Sequence, residues 1–578
     1  MPRISLRKHI LSSLVFLSFL LVYSEIPAQT VSESETAGGI QKQEENLEKM
    51  QRLEQKITEK KKKPEIEDKE EGPAPLPEGE KVFIKKITVE GTTLLSEAEI
   101  TKIISQFQGK ELTLADMQKV ADLITDALRK KGYATSRAYL PPQTIAKDGI
   151  LKIKVVEGRV GEINIKGNRY FKTALYKKKL KLQPGEYFAY PSLQRSLVSI
   201  NENPDRLAKA ILAPGKKPGT TDIILEVKDK LPIHVGYEYD NFAARSLGRD
   251  RQAVVFEHNN LLGFDDKLYF KFQRSEDSLY TSKSARYLFP VDDTLELGLT
   301  GLYSRSRLGR EFSVLDSRGT AMIIGAFMNK ALIAKDNLDL RLNFGFDYKK
   351  IRNYLLGGIE ISRDDVRVFK LGFDLDAIDK WGRNILTAEL DGGVPRMWGG
   401  LLDKDPRASR VGAGGKFFKG AFNFFRLQPM PFSSTILWKN TAQLSNYTLV
   451  AAEQFQIGGP LSVRGYPPAE FSGDGGISTS LEWTFPFYFI PKKINVPFTK
   501  EKVYDRLRVA LFYDWATVHL NKIQPGDKKY RVLKAAGFGF RFNIIERLSA
   551  KVDFGYPLDK NPSDKDHLHT WVEFTCKI

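Results

Sequence analysis

The sequence has one cysteine, few histidines and no long apolar run, and each shortage excludes a class of protein. A single thiol, Cys576, forms no internal disulfide and no cysteine-rich metal site. The 6 histidines include no pair at metal-binding helical spacing. A helical membrane span needs about 20 consecutive apolar residues, and the chain offers none of that length. We therefore expect no metal, no cofactor and no helical membrane domain.

The longest apolar stretch lies close to the N-terminus. Residues 10–23 follow a basic start and precede the small residues Ser24 and Ala28. A basic start, a short apolar middle and a small-residue exit are typical of a secretory signal peptide. We predict that residues 1–28 are a signal peptide cleaved after Ala28, with Ser24 as the alternative. An uncleaved anchor is the competing interpretation, and the short apolar stretch disfavours it.

The charge is strongly one-sided, with 89 basic and 71 acidic residues and a net charge of +18. Such a balance suggests nucleic acid as a partner. Export removes that partner, so we expect no nucleic acid. A basic protein outside the cytoplasm suits contact with anionic lipid or with an acidic polypeptide.

Residues 29–79 form a polar segment ahead of the first folded unit. Residues 41–60 are rich in Glu, Lys and Gln, and carry Leu47, Met50 and Leu53 at helical spacing. This pattern predicts a solvated amphipathic helix. The alternating prolines that follow favour an extended linker: Pro73, Pro75 and Pro77. Composition alone also allows a disordered tether, which is the simpler alternative.

Two α+β units come next, over residues 80–157 and 158–229. Each shows the order strand, helix, helix, strand, strand. The repeat of about 75 residues is compatible with a small domain. We therefore predict two consecutive copies of one small fold.

From residue 230 to residue 578 the pattern changes to alternation at period two. Between Leu340 and Tyr348, for example, one face is Leu, Leu, Phe, Phe, Tyr while the other is Arg, Asn, Gly, Asp. An apolar face with aromatics opposite a polar face is typical of a transmembrane β-barrel. We count about 16 such segments, an even number as expected for closure without a free edge. A soluble β-sandwich is the alternative, and the predicted export disfavours it.

One glycine-rich loop stands out between the eleventh and twelfth counted strands. It contains Gly458 to Tyr466 and continues to Gly473–Gly476. Glycines permit close backbone approach, so Arg464 would be able to reach a carboxylate in the barrel. Alternation in the thirteenth strand turns Asp514, together with Phe512, towards the lumen. The sequence therefore predicts an Arg464–Asp514 pair.

These loop and strand residues resemble the motifs of a known family. Val463-Arg464-Gly465-Tyr466 and Phe512-x-Asp514-x-Ala516 are similar to motifs of the two-partner secretion transporters, also called haemolysin secretion/activation proteins. In that family, which belongs to the POTRA-plus-barrel translocators, the first motif lies on a sixth extracellular loop that folds back into the barrel. Ala516 replaces the usual glycine of the second motif, which puts the local backbone geometry in question.

The two α+β units resemble POTRA domains, and Gly132–Gln143 and Val156–Gly158 resemble the first-domain signature of the same family. This resemblance implies that client-binding residues lie in the first unit: Tyr133, Arg137, Tyr139, Pro141 and Gln143. The family also has an N-terminal helix that plugs the pore. The sequence leaves open whether the helix predicted here does so.

The resemblance implies a transmembrane β-barrel of about 16 antiparallel strands behind two periplasmic POTRA domains and an N-terminal helix. It implies a monomer in the outer membrane, in contact with lipid and lipopolysaccharide. The protein would secrete an unfolded exoprotein client without ATP by type V, two-partner secretion. Whether secretion activates a haemolysin or adhesin stays open.

Three other functions compete with this interpretation. A barrel assembly or insertion factor is the main alternative. A passive porin would need no POTRA domains. A hydrolase barrel would need a nucleophile beside a placed histidine, whereas His258, His567 and His569 are scattered. We therefore expect no enzyme and no catalytic residue.

Overall fold

A computed structural model describes most of the chain: residues 32–59, 65–68, 80–145, 148–335, 337–496, 499, 501–545, 548–559 and 562–577. The predicted signal peptide and the prolines of the predicted linker lie outside the described residues. The described chain begins with a helix, continues through two α+β units and ends in a large barrel.

The N-terminal helix α1 spans Ala37–Thr58, after a short 3-10 turn at Glu33–Glu35. It begins at Thr36, whose side chain accepts a hydrogen bond from the Gly39 amide, because a free helix N-terminus needs acceptors for its first amides. A short strand, β1 (Ile66–Asp68), follows.

The first α+β unit is built from two small sheets and two helices. β3, β6 and β5 form one sheet and β2 pairs with β4. Helix α3 begins with a capping box in which Thr113 and Asp116 bond each other's amides, and its apolar face packs on Ile87 and Ile153. The elements are β2 (Val82–Ile84), β3 (Lys86–Glu90), α2 (Glu97–Ile104), β4 (Lys110–Leu112), α3 (Leu114–Lys130), β5 (Arg137–Tyr139) and β6 (Ile150–Val156).

The second unit has one four-stranded sheet in the order β1-β8-β9-β7. Strand β1 thus joins this sheet from outside the unit, parallel to β8. Phe188, Leu197 and Leu225 are fully buried between the helices and the sheet. The remaining elements are β7 (Arg159–Lys166), α4 (Thr173–Lys179), α5 (Tyr190–Asn201), β8 (Arg206–Pro214) and β9 (Thr220–Asp229).

Sixteen of the described strands close into an antiparallel barrel, in which the first pairs with the last. This confirms the predicted barrel of about 16 antiparallel strands. They are β10 (Ile233–Asp240), β11 (Arg251–His258), β12 (Lys267–Ser275), β13 (Tyr280–Pro290), β14 (Leu295–Arg307), β15 (Arg318–Lys335), β16 (Leu338–Leu355), β17 (Ile359–Ile378), β18 (Arg383–Gly393), β19 (Phe417–Met430), β20 (Ser434–Ser445), β23 (Gly475–Pro486), β24 (Leu507–His519), β25 (Tyr530–Ile545), β26 (Leu548–Pro557) and β27 (His569–Lys577).

Strand alternation places apolar side chains outside the barrel and polar side chains inside. On β16, Leu342 and Phe344 are exposed on the outer wall while Lys349 is buried in the lumen. Such an outer face suits lipid, and closure pairs the backbone of every strand. Within the described ranges, no helix has the length and apolar character needed to cross a bilayer.

Helix α1 lies inside the barrel. At its N-terminal end the Ala37 amide donates to the Asn353 side chain (2.7 Å) near the extracellular end of β16. At its C-terminal end Ile57 packs against Ile385 and Phe425 near the periplasmic end of the wall. A 22-residue helix is about 33 Å long, close to the roughly 30 Å of a bilayer core.

The prediction of a solvated helix is therefore wrong. Leu47, Met50 and Leu53 are buried against the lumen wall and the inward loop. The spacing of these residues identified the buried face correctly. Composition could not predict that the barrel covers this face, because the covering strands lie hundreds of residues away in the chain.

Candidate functional site: the barrel lumen and its inward loop

The glycine-rich loop between β20 and β23 folds back into the lumen. It contains two short strands, β21 (Phe455–Ile457) and β22 (Phe471–Gly473), which pair with each other. Its tip is closed by a hydrogen bond from the Gly459 amide to the Tyr466 carbonyl (2.9 Å). Gly459 has a φ of +81°, a conformation that favours glycine. The turn brings Arg464 against the barrel wall.

Arg464 forms a two-pronged ion pair with Asp514 of β24. Its Nε lies 2.9 Å from Asp514 Oδ2 and its Nη2 lies 2.9 Å from Asp514 Oδ1. The Arg464 backbone amide donates to the same carboxylate at 3.1 Å. Both side chains are almost completely buried, at 2% and 0% exposure. A planar guanidinium matches a carboxylate in this way, whereas an ammonium does not.

Further charged groups complete the cluster. Arg464 also donates to Glu482 (2.7 Å) and approaches Asp553 (3.4 Å), while Arg541 bonds the same two carboxylates at 2.8 and 2.6 Å. Two guanidiniums thus share three carboxylates. Mutual pairing of this kind offsets part of the large cost of burying charge.

Phe512 lies directly under the Arg464 guanidinium, whose carbon is 3.4 Å from the ring centroid. A cation over an aromatic face is attracted by the ring quadrupole. Gly537 on the neighbouring strand makes room for that ring, since a Cβ there would lie 2.5 Å from it. On the other side of the loop, Trp571 donates its indole N–H to the Arg464 carbonyl (2.7 Å).

The other motif residues seat the loop by packing. Val463 and Tyr466 are buried in an apolar cluster with Ala516 and Val518. Gly465 lies against β26, where an added Cβ would stand 2.7 Å from the Pro557 nitrogen. Strand β24 continues through Ala516, which pairs with neighbouring strands on both sides. The alanine in place of the usual glycine therefore leaves the strand regular.

The structure thus brings together all six residues predicted for the loop and its strand. Sequence reasoning missed Ser480, Glu482 and Asp553 as partners of Arg464. Alternation along β23 and β26 was enough to place them in the lumen. Alternation could not predict which of the lumen residues contact a loop that enters from the extracellular side.

Helix α1 contacts the lumen wall through acidic side chains. Glu44 pairs with Arg251, and Glu45 lies 3.4 Å from Lys349. Near the periplasmic end Glu54 bonds Lys439 at 2.7 Å. The pairs are spread over the length of the helix, each on a different wall strand. Open space with a volume of about 1830 Å³ lies along one side of the helix.

The helix also contacts the inward loop. A one-turn 3-10 helix of the loop, Ala451–Glu453, packs on Gly38, where a Cβ would stand 3.0 Å from the Ala452 nitrogen. The Gln456 side chain donates to the Gly39 carbonyl (3.0 Å). Lower down, Lys551 lies 3.9 Å from Glu54 and 3.8 Å from Asp553. The helix therefore contacts the first part of the loop directly and approaches the Arg464 cluster through Lys551.

The residues predicted to bind a client do not all lie at one surface. Tyr139 is exposed on the edge strand β5, and the Gln143 side chain pairs with the backbone of Lys152 (2.7 and 2.9 Å) beyond the end of that strand. Arg137 lies on β5 opposite Val156. Tyr133 packs on the core, and Pro141 is half-buried.

Part of the first-domain signature joins the two units. The Gly132 carbonyl accepts a hydrogen bond from the Tyr190 amide (2.8 Å). Glu157 accepts bonds from the Thr93 and Leu94 amides. Partial burial alone raises the pKa of Glu157, but these hydrogen bonds outweigh it, so the pKa lies below its usual value. This carboxylate stays ionised and fixes the loop after β3.

One cluster of possible metal ligands forms although its histidine looked isolated in the sequence. Asp564, Asp566 and His569 come together on the extracellular side. Arg249 makes ion pairs with both carboxylates, at 3.1 and 3.3 Å. This guanidinium already supplies positive charge to the cluster.

A closed barrel with a polar lumen, an inward loop locked by an arginine and two POTRA-type units ahead of it define an outer-membrane translocator, with the N-terminal units in the periplasm. Residues 219–504 match the family model "Haemolysin secretion/activation protein ShlB/FhaC/HecB", and residues 82–158 match the POTRA domain model of ShlB type. The chain belongs to this family of two-partner secretion transporters.

Individual relatives agree with this assignment. The heme/hemopexin transporter protein HuxB of Haemophilus influenzae is 23% identical over 490 residues, which cover 82% of this chain and 83% of HuxB. The outer membrane transporter CdiB of Escherichia coli is 24% identical over 70% of each chain. A solved CdiB structure from Escherichia coli aligns with 96% of this chain and 100% of its own, with a TM-score of 0.69 and 21% identity.

Proposed function

We propose that this chain binds one unfolded exoprotein client in the periplasm and passes it outward through the barrel. The observation that carries the proposal is the occupied lumen. A helix as long as the bilayer core is held there by separated ion pairs and side-chain contacts, with no strand pairing between it and the wall. Such a helix blocks the path at rest and leaves a polar passage when it withdraws.

We infer that the first unit supplies the recognition surface. An exposed strand edge accepts an extended polypeptide by main-chain pairing, which tolerates many sequences. Tyr139 on β5 offers an aromatic contact beside such an edge. Gln143 bonds the β6 backbone at Lys152, just beyond the end of β5, and would limit how far an added strand can pair along this sheet. Tyr133 and Pro141 support this surface from behind.

We propose that transport needs no nucleotide and no catalytic step. The sequence holds no Gly-x4-Gly-Lys-Ser/Thr phosphate loop, and folding of the client outside the cell would make its passage irreversible. We further propose that the chain acts as a monomer, is no enzyme, and contacts lipid and lipopolysaccharide through its outer wall. The heme/hemopexin transport in the name of HuxB is a property of that relative.

Co-expression with the large exoprotein of the neighbouring gene tests the function. We expect the exoprotein at the cell surface or in the medium only when the transporter is present. A barrel assembly factor, the main alternative, would instead change the amounts of many outer-membrane barrels when it is removed. Normal export without the transporter would contradict the proposal.

Binding in the periplasm has a separate test. We expect residues 80–229 to bind the unfolded N-terminal fragment of the exoprotein with modest affinity by calorimetry, and binding to weaken with salt if charge contributes. Tyr139→Ala should lower the affinity, and the exposed Lys217→Ala in the second unit is the matched control. No binding by a fragment that is competent for secretion would contradict the proposed surface.

A further inference from the structure

The outer edge of β8 in the second unit is occupied by the chain's own strand β1. Ile66, Glu67 and Asp68 run parallel to Ala210, Ile211 and Leu212. The Ala210 amide donates to the Glu65 carbonyl at 3.1 Å. The side chains of Glu67 and Lys209 form an ion pair, also at 3.1 Å. An edge that would otherwise expose backbone groups is covered by four residues of the segment between α1 and the first unit.

The rest of this edge is closed by a fixed side chain. Asn201, at the end of α5, accepts a bond from the Ala208 amide (2.7 Å) and donates to the Ala208 carbonyl (3.0 Å). Asn201 is buried and belongs to the unit itself. Strand β1, in contrast, comes from outside the unit and is only three residues long. Its Glu67 is exposed, and its Ile66 is only partly buried on the core. Parallel pairing of so few residues is weak, so β1 is the displaceable part of the cover.

Strand β1 also sets the length of chain that holds the helix. Residues 59–65 separate the end of α1 from β1, and seven residues span at most about 25 Å. If β1 leaves β8, the connection between α1 and β2 comprises residues 59–81, which span at most about 80 Å. The helix itself is about 33 Å long. Departure of β1 therefore raises the reach of the connection from less than the length of the helix to more than twice that length.

We propose that β1 is an exchangeable strand: an extended segment of the client replaces it on the β8 edge, and its departure releases the helix in the barrel. This inference rests on the proposed secretion function. It gives the second unit a role distinct from that of the β5 edge. Client binding at the β8 edge would thus act on the helix in the pore by lengthening the connection that holds it. The competing role for β1 is permanent protection of an edge strand.

A disulfide between β1 and β8 tests the exchange. Glu67 and Ile211 are register partners, and neighbouring strands lie about 4.8 Å apart, within the range that a disulfide bridges. Glu67→Cys with Ile211→Cys, in full-length protein carrying Cys576→Ser, would fix β1 in place. The matched control is Leu207→Cys with Lys228→Cys, which joins β8 to its permanent neighbour β9.

Two readouts separate this inference from the function on which it rests. In planar bilayers without client, the oxidised β1–β8 pair should open several-fold less often than its reduced form, and the control pair should be unaffected by reductant. In cells, the oxidised pair should not secrete the co-expressed exoprotein, and reduction should restore secretion. Equal openings and full secretion in the oxidised pair would overturn the exchange. If the Cys576→Ser parent itself does not secrete, the proposed function fails, and the bilayer result still decides whether β1 holds the helix.

Loosening β1 should have the opposite effect. Ile66→Asp removes the apolar contact with the core and leaves the unit's own residues intact. Open events should become more frequent than in the parent. Lys217→Asp, in the exposed turn between β8 and β9, adds acidic charge to the same unit without touching β1 and should change nothing. Unchanged openings in Ile66→Asp would also contradict the proposal.

Discussion

The Arg464 cluster and helix α1 occupy the same lumen but are held in different ways. Arg464 is at 2% exposure, its guanidinium faces three carboxylates, and glycines admit its backbone against the wall. The helix is held by separate ion pairs from Glu44, Glu45 and Glu54, beside open space. A compact buried network leaves unpaired charges if any member is removed. The Glu44–Arg251 pair is buried, but the Glu45 and Glu54 carboxylates keep about 30% of their surface exposed, and partly exposed pairs contribute less than buried ones.

The difference separates the parts that must stay from those that must move. The loop keeps its place because its charges, packing and backbone contacts all meet at one residue. In the proposed cycle, the helix leaves when its separate pairs break. Ion pairs in this pore therefore have two roles. Those of Arg464 are buried and share several partners, which holds the loop in place, whereas those of α1 are separate, which suits a helix that is released.

Loss of the lock should have the largest effect. Arg464→Ala or Asp514→Ala should reduce secretion more than about tenfold while the barrel still assembles, because a stranded buried charge costs about 3–5 kcal/mol. Secretion is measured by the amount of client in the medium, and assembly by heat-modifiable migration on gels. Full export of the client by Arg464→Ala would contradict the lock and show that the loop only connects two strands.

The chemistry of the lock gives two controls. Arg464→Lys keeps the charge but loses the two-pronged geometry, so we expect only slight rescue. The double variant of Arg464 and Asp514 should be less impaired than the summed single losses, since both act on one interaction. Additive losses would show that the two residues act separately.

Removal of the plug should have the next largest effect and the opposite direction. Deletion of residues 29–60 takes out all of α1 and should raise conductance in planar bilayers, because the lumen wall is polar. The Arg464 cluster should stay formed without the helix. Unchanged conductance would show that α1 does not block the path, although the barrel would stand.

One ion pair of the helix should matter less than the whole helix. Glu54→Gln removes the charge that faces Lys439 and Lys551. Because the Glu54 carboxylate is about a third exposed, we expect an effect of about 1 kcal/mol, or about fivefold in the frequency of opening. Higher salt should reduce the difference from the parent. Glu59→Gln, just beyond the helix, is the matched control. A loss of secretion as large as that of Arg464→Ala would erase the distinction between lock and plug.

The smallest effect belongs to a charged contact outside the membrane. The Glu157 pKa is lowered in the folded unit, so its contribution to stability is present above the usual carboxyl pKa and is lost as pH falls through the lowered value. We expect Glu157→Gln to cost residues 80–229 about 1 kcal/mol at neutral pH and less in acid. Urea unfolding at several pH values measures this, and an equal cost at every pH would exclude ionisation as the cause.

The sequence predicted most of the architecture and half of the lock. Period-two alternation specified the barrel because each strand needs one lipid face and one lumen face, and motif resemblance singled out Arg464 and Asp514. Glu482 and Arg541 were not foreseen as partners, since their meeting depends on closure of strands distant in the chain. The burial of Leu47 and Met50 was missed for the same reason. Local spacing specifies faces, whereas the identity of a neighbour is fixed by topology.

The acidic face of α1 has an electrical consequence for the emptied pore. Arg251 and Lys349 face the adjacent helix residues Glu44 and Glu45, while Lys439 and Lys551 both face Glu54. In the proposed cycle, each of these four cations loses one carboxylate neighbour when the helix withdraws. The helix as a whole carries four acidic and four basic residues, so the total charge of the passage stays the same while the charge beside these wall positions changes. Arg251 keeps Asp240 and Lys349 keeps Glu453 as partners. In the proposed cycle, a client passing through meets Lys439 without its helix partner Glu54, and an acidic side chain of the client can take that place.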